Sequence, residues 1–141
     1  MPTTIACAAA LLLLTTLIHY EALRALDRIV PLLRWPGRSH IVLVIVALFC
    51  AHVVEIVLYA ATYFLLLRHA ALGSIGRSAT LSINHALYFS FETFSTLGYG
   101  DIAPAGAIRL LAGTESLNGL LLIGWSSSYA HIAMQRAAGE R

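Results

Sequence analysis

Apolar residues in this chain run in long unbroken stretches instead of the alternating patterns of a water-facing fold. Residues 2–20 hold no Asp, Glu, Lys or Arg. At about 1.5 Å per residue, a helix of that length just crosses a hydrocarbon layer of about 30 Å. Without a positive leader or a clear small-x-small cleavage site, it reads as a retained helix and not a signal peptide. Residues 21–38 change character: Glu21, Arg24, Asp27, Arg28, Arg34 and Arg38 appear, and Pro31 and Pro36-Gly37 interrupt helical continuity. Arg24 and Arg28, beside Leu23, Leu26, Ile29 and Val30, fit an amphipathic segment lying at a lipid surface. A second span covers Ile41–Leu67, with His52 and Glu55 as its strongly polar members. Arg68–Thr80 is a small Gly- and Ser-containing loop, and Leu81–Ser95 is too short to span, with Thr80 or Ser82 to cap its start. The last span occupies Arg109–Gln135.

Composition agrees with lipid as the solvent. Of 141 residues, 59% are hydrophobic and 11% charged, with a mean hydropathy of +0.79. An average soluble domain carries about 25% charged residues. The expected class is an all-α integral membrane protein. A net charge of +2 is too small to imply a nucleic-acid partner, but its distribution sets a topology. The four arginines between the first two spans, with Arg136 and Arg141, belong in the cytoplasm by the positive-inside bias. Met1 and the 68–106 region then lie outside. Spaced by four, six and four, those linker arginines read as interfacial anchors and not as a voltage sensor. Every cation is Arg, which with many Ala and Leu hints at a GC-rich bacterial source. Cys7 and Cys50 sit in apolar runs as small buried thiols, with no metal-type spacing.

Between the short apolar segment and the last span stands Thr96-Leu97-Gly98-Tyr99-Gly100-Asp101. Gly98 and Gly100 alternate with larger residues and can take φ > 0 without steric cost. Successive peptide oxygens can then turn toward one axis, whereas in an ordinary strand they alternate sides. Such oxygens are hard ligands that can replace the water around an alkali cation.

The run from Tyr88 to Asp101 resembles the pore helix and selectivity filter of potassium channels, and most closely the minimal bacterial members of that family. Downstream, Arg109, Gly119 and Gly124 fall ten and fifteen residues apart, like the basic residue and two glycines of such channels' inner helix. The resemblance covers about 41–135. The chain thus reads as two parts: an N-terminal transmembrane helix with a cytoplasmic amphipathic linker (1–40), outside the minimal two-span pattern, and the pore domain that the resemblance implies (41–141). The pore domain divides into outer helix 41–67, re-entrant pore helix 81–95, filter 96–101 and inner helix 107–135. Carbonyls of Thr96, Leu97, Gly98 and Tyr99 would bind K⁺, the transported ion, with Gly100 completing the strip and the Thr96 hydroxyl closing the innermost site. Leu97 stands where Val is commoner. Tyr99 would point outward against the pore helix, where Tyr88 and Phe89 replace the family's usual tryptophans, and Thr93 and Glu92 would support the filter. Glu92 and Asp101 match an acidic pair behind that filter, which is expected to share a proton or water, a role compatible with Glu92 bonding filter amides. A ring of carbonyls needs four copies of the strip, so the chain is expected to pair with itself as a homotetramer, with membrane lipids around it. Gly119 and Gly124 are either gating hinges or close-packing points.

His52, Glu55 and Glu115 are ionisable groups within spans, and such groups usually face protein or water. His52 and Glu55 share a helix face, and Glu55 and Glu115 lie at depths within about 5 Å of each other. They are expected to form one polar cluster between outer and inner helices, serving as a hydrogen-bond network or as a proton sensor. His19 should lie near the cytoplasmic face, away from His52, so a metal site from His19, Glu21, His52 and Glu55 finds little support. Asn118, Trp125 and Ser126–Ser128 punctuate the last span, where some could line a cavity below the filter.

The expected function is passive potassium conduction across a cell (inner) membrane, with no organic cofactor. The rivals are a weakly selective cation channel on the same scaffold and a non-conducting assembly subunit. Neither a nucleophile–base pair nor a phosphate loop points to an enzyme.

Overall fold

A computed structural model describes residues 1–33, 37–69, 72–76 and 82–139 of the chain. Arg34, Pro36, Thr80, Leu81, Arg141 and the side chain of Arg38, singled out above, lie outside the described residues. In order the elements are α1 (Pro2–Ile29), a 3₁₀ turn (Val30–Leu32), α2 (Gly37–His69), β1 (Gly73–Ile75), α3 (Ile83–Phe94), β2 (Pro104–Gly106) and α4 (Ile108–Gly139).

The first helix is longer than expected. It runs without a break through the charged segment that was expected to separate at residue 20, and ends only where Pro31 enters the 3₁₀ turn. Pro2 is tolerated because the first-turn amides have no intrahelical partner. Arg24, over the Tyr20 ring and bonded to Glu21 at 3.1 Å, therefore decorates the end of the same helix. The outer helix begins before residue 41 and reaches His69, and the inner helix runs past residue 135 to Gly139. Pro2–Leu32 and Ser39–Arg68 are each long and apolar enough to cross a membrane.

The burial pattern is that of a protein in lipid. On α1 the covered stripe is Thr4, Ala8, Leu11, Thr15, His19, Leu23 and Leu26, while Leu12, Leu13, Leu14 and Leu17 point outward. Water would favour the reverse, because a buried polar group must find a partner whereas an exposed leucine in hydrocarbon costs nothing. α1 packs against both α2 and α4, and α3 is wedged between α2 and α4. The larger core joins Tyr59, Tyr63, Phe89, Phe94, Ile108 and Leu111. A smaller one, with Leu23, Leu26, Val44 and Leu48, holds the opposite end. Asn118 of α4 donates to Thr15 of α1 at 2.7 Å and to Tyr59 of α2 at 3.2 Å. Cys7 and Cys50 are free.

The segment after α2 was expected to be a plain loop. Its described residues instead form β1, which pairs antiparallel with β2 in the register Gly73↔Gly106, Ser74↔Ala105 and Ile75↔Pro104. Gly73 and Gly106 permit the pairing, since a Cβ on Gly73 would collide with the Ala105 carbonyl. This ribbon ties the end of α2 to the chain leaving the 96–101 strip.

Candidate filter and its supports

Ser82 sits in an extended conformation, and its hydroxyl accepts the His85 amide at 3.2 Å, capping α3. The 12 residues of α3 extend only about 18 Å, too short to cross a hydrocarbon layer of about 30 Å. Ile83–Phe94 is shorter at both ends than the expected 81–95, because the Ser82 cap starts it and Ser95 ends it.

Beyond Ser95 the backbone alternates. Thr96 (φ 58°), Gly98 (φ 54°) and Gly100 (φ 84°) are left-handed, while Leu97 and Tyr99 are not. The amides are drawn back toward α3: Thr96 donates to the Thr93 carbonyl at 3.1 Å, Leu97 to the Glu92 carbonyl at 3.0 Å, and Tyr99 to Glu92 Oε1 at 3.1 Å. A trans peptide points its C=O opposite its N–H. The carbonyls of Ser95, Thr96 and Gly98 therefore face away from α3, on one side of the strip. Thr96 is the only non-glycine with positive φ among the described residues, a strained state that persists where surroundings enforce it.

Of the acidic pair, Glu92 accepts the Tyr99 amide of the strip and Asp101 accepts the Tyr88 hydroxyl at 3.2 Å. Phe89 is buried edge-on against Tyr63, with ring centroids 5.1 Å apart. The expected cuff around Tyr99 is not formed within one chain: Tyr99 is 69% and Leu97 57% exposed. Thr93 supports the strip through its backbone, its carbonyl also accepting the Ser116 hydroxyl of α4 at 3.0 Å.

The single cluster expected of His52, Glu55 and Glu115 is instead two. Glu115 takes the Tyr63 hydroxyl at 2.6 Å and the Ser90 hydroxyl, pinning α3 to α2 from α4, and Ser90 also lies 2.9 Å from the Ile56 carbonyl. Glu55 is bonded to His52 and to His19. The two glutamates point to different neighbours. Placing His19 far from His52 is also wrong: their rings stack with centroids 5.1 Å apart. The error came from ending the first span at residue 20, whereas α1 continues for more than two turns beyond His19. Glu21 takes no part, being exposed beside Arg24. Asn118 and Ser126 are buried between helices of the one chain, Ser127 and Ser128 are exposed on it, and Trp125 rests against His19 and Tyr20. Gly119 lies hard against the Phe94 carbonyl, whereas Gly124 has open space beside it.

Ser90, Tyr63, Tyr59 and Thr15 were not anticipated as partners. The available signal was spacing: Glu115, Asn118, Leu122 and Ser126 recur at three- and four-residue intervals, as do Tyr59, Tyr63 and Glu55 on α2.

Long apolar helices around a short one, followed by a strip with three carbonyls turned to one side, fit a membrane channel architecture. Residues 41–136, more than half of the chain, match the family model described as ion channel, and the chain belongs to that family. Neither a curated protein nor a solved structure matches it.

Proposed function

We propose that this ion channel is potassium-selective and that it forms its pore as a homotetramer around the 96–101 strip. The observation that carries this reading is the left-handed alternation at Thr96, Gly98 and Gly100, with amides 96, 97 and 99 turned back to α3 and Glu92. Peptide oxygens on one side of a strip can coordinate an ion only if copies around an axis complete the ring, hence the tetramer. The exposed Leu97 and Tyr99 support the same assembly, since such side chains need a neighbouring subunit to cover them. Thr96, Leu97, Gly98 and Tyr99 then hold dehydrated K⁺, and Glu92 keeps the strip from closing on the axis. Conduction is passive and uses no organic cofactor. The arginine bias puts the strip at the outer mouth of a bacterial inner membrane, with the first residue outside.

Purified protein in liposomes, with reversal potentials read in mixed K⁺ and Na⁺, tests this directly. Potassium reversal expected from the K⁺ gradient alone supports the reading. A reversal midway between the two ions makes the protein a weakly selective cation channel, and absence of flux makes it a non-conducting subunit.

A further inference from the structure

Outside the filter, the helices enclose a closed ring of four side chains drawn from three of them. Glu55 of α2 faces the Nδ1 atoms of two histidines, His19 of α1 at 3.0 Å through Oε1 and His52 of α2 at 2.9 Å through Oε2. On the far edge of the stacked imidazoles, Ser126 Oγ of α4 faces both Nε2 atoms, at 3.2 Å for His19 and 2.9 Å for His52. His19 and Glu55 have no exposed side-chain surface and His52 has 15%. Two aromatic rings lie against the imidazoles: Trp125 at 5.6 Å from His19, and Phe94 at 5.6 Å from His52.

Hydrogen counting shows what the ring lacks. Four contacts need four hydrogens, but an ionised carboxylate, two neutral imidazoles and one hydroxyl supply only three. A cation held by both Nδ1 atoms and the carboxylate removes the shortage. Each imidazole then carries its hydrogen on Nε2, and the two lone pairs of Ser126 Oγ accept both. That is the outer-shell arrangement which fixes the tautomer of a ligating histidine. The three candidate ligand atoms lie within 4.8 Å of one another. A tetrahedral ion with bonds of about 2.1 Å has ligands about 3.4 Å apart, so rotamer adjustment alone can close the site.

We propose that His19, His52 and Glu55 bind a divalent transition-metal ion of Zn²⁺ type, with Ser126 as the positioning residue and a fourth position open toward the exposed edge of His52. Two imidazoles and one carboxylate suit such ions better than Mg²⁺ or Ca²⁺, which prefer oxygen ligands alone. The ion fastens α1, which lies outside the 41–136 match, to the pore module. It also sits one ring away from Phe94, the last residue of the pore helix. The proposal stands apart from potassium selectivity and does not depend on it.

The test uses the full chain, purified in detergent without a polyhistidine tag and titrated with Co²⁺. The expected result is close to one Co²⁺ per chain, with an intense visible band of tetrahedral type that Zn²⁺ bleaches. His19→Gln and Glu55→Gln should weaken binding at least 100-fold, Ser126→Ala by about 10- to 100-fold, and the remote His85→Gln not at all. Because a variant can fail to fold, wild-type unfolding is also followed: saturating Zn²⁺ should raise its unfolding temperature. No Co²⁺ retained by folded wild-type protein overturns the proposal and leaves an extra proton as the cation that completes the ring. Binding that persists in folded His19→Gln overturns it as well, by locating the metal elsewhere.

Discussion

The candidate filter strip and the histidine ring are both polar constructions inside an apolar protein, and they are made in opposite ways. The strip is contiguous in sequence, and its geometry is written in backbone dihedrals, with positive φ at Thr96, Gly98 and Gly100 and three amides tethered within seven residues. The ring unites positions up to 107 residues apart, and its geometry comes entirely from side chains on three packed helices. Damage to the first should therefore silence function while sparing the fold. Damage around helix contacts should weaken the fold itself.

The largest effect is expected at Gly98. No other atom of the chain lies within 4 Å of a Cβ added there, so Gly98→Ala should leave the fold of the single chain much as in wild type. Yet a left-handed alanine costs about 1–2 kcal/mol, which a small backbone rotation relieves by turning a carbonyl off the axis. Liposome K⁺ flux should fall at least 100-fold. Retained flux would mean that carbonyl direction does not control conduction. Next in size is Gly119→Ala, whose methyl would collide with the Phe94 carbonyl. Overpacking of that kind costs about 1–3 kcal/mol, readable as earlier thermal unfolding. Gly124→Ala, with open space beside it, should shift stability by less than about 0.5 kcal/mol. If Gly124→Ala instead changes channel open probability while leaving stability alone, Gly124 is the hinge and Gly119 the packing point. A similarly small effect is expected for Glu92→Gln. The amide oxygen can still accept the Tyr99 N–H, so flux should change less than about threefold, the factor for about 0.6 kcal/mol. Glu92→Val leaves that N–H without its partner and should make conduction decline as external K⁺ is lowered. Equal behaviour of the two variants would deny Glu92 its tethering role.

Much of this was readable in advance from local pattern. The apolar lengths mark the helices, Ser82 marks the start of α3, and the glycine alternation marks the turn of the carbonyls. The β1–β2 ribbon was not readable, because three-residue strands of Gly, Ser, Pro and Ala carry no alternating pattern. The partner of each buried polar group was also hidden. Depth estimates put Glu55 and Glu115 side by side, but rotation about the helix axis, about 100° per residue, decides the neighbour. Glu55 turns to His19 and Glu115 to Ser90 and Tyr63.

Order along the chain thus dictates where helices lie and which backbone can bend left-handed, because these depend on residue type and immediate neighbours. Whether His19 meets His52, whether Gly119 touches Phe94, and which hydroxyl reaches which carboxylate depend on how three long helices rotate and slide against one another. That choice is set by summed packing over whole faces, and no short stretch of residues contains it.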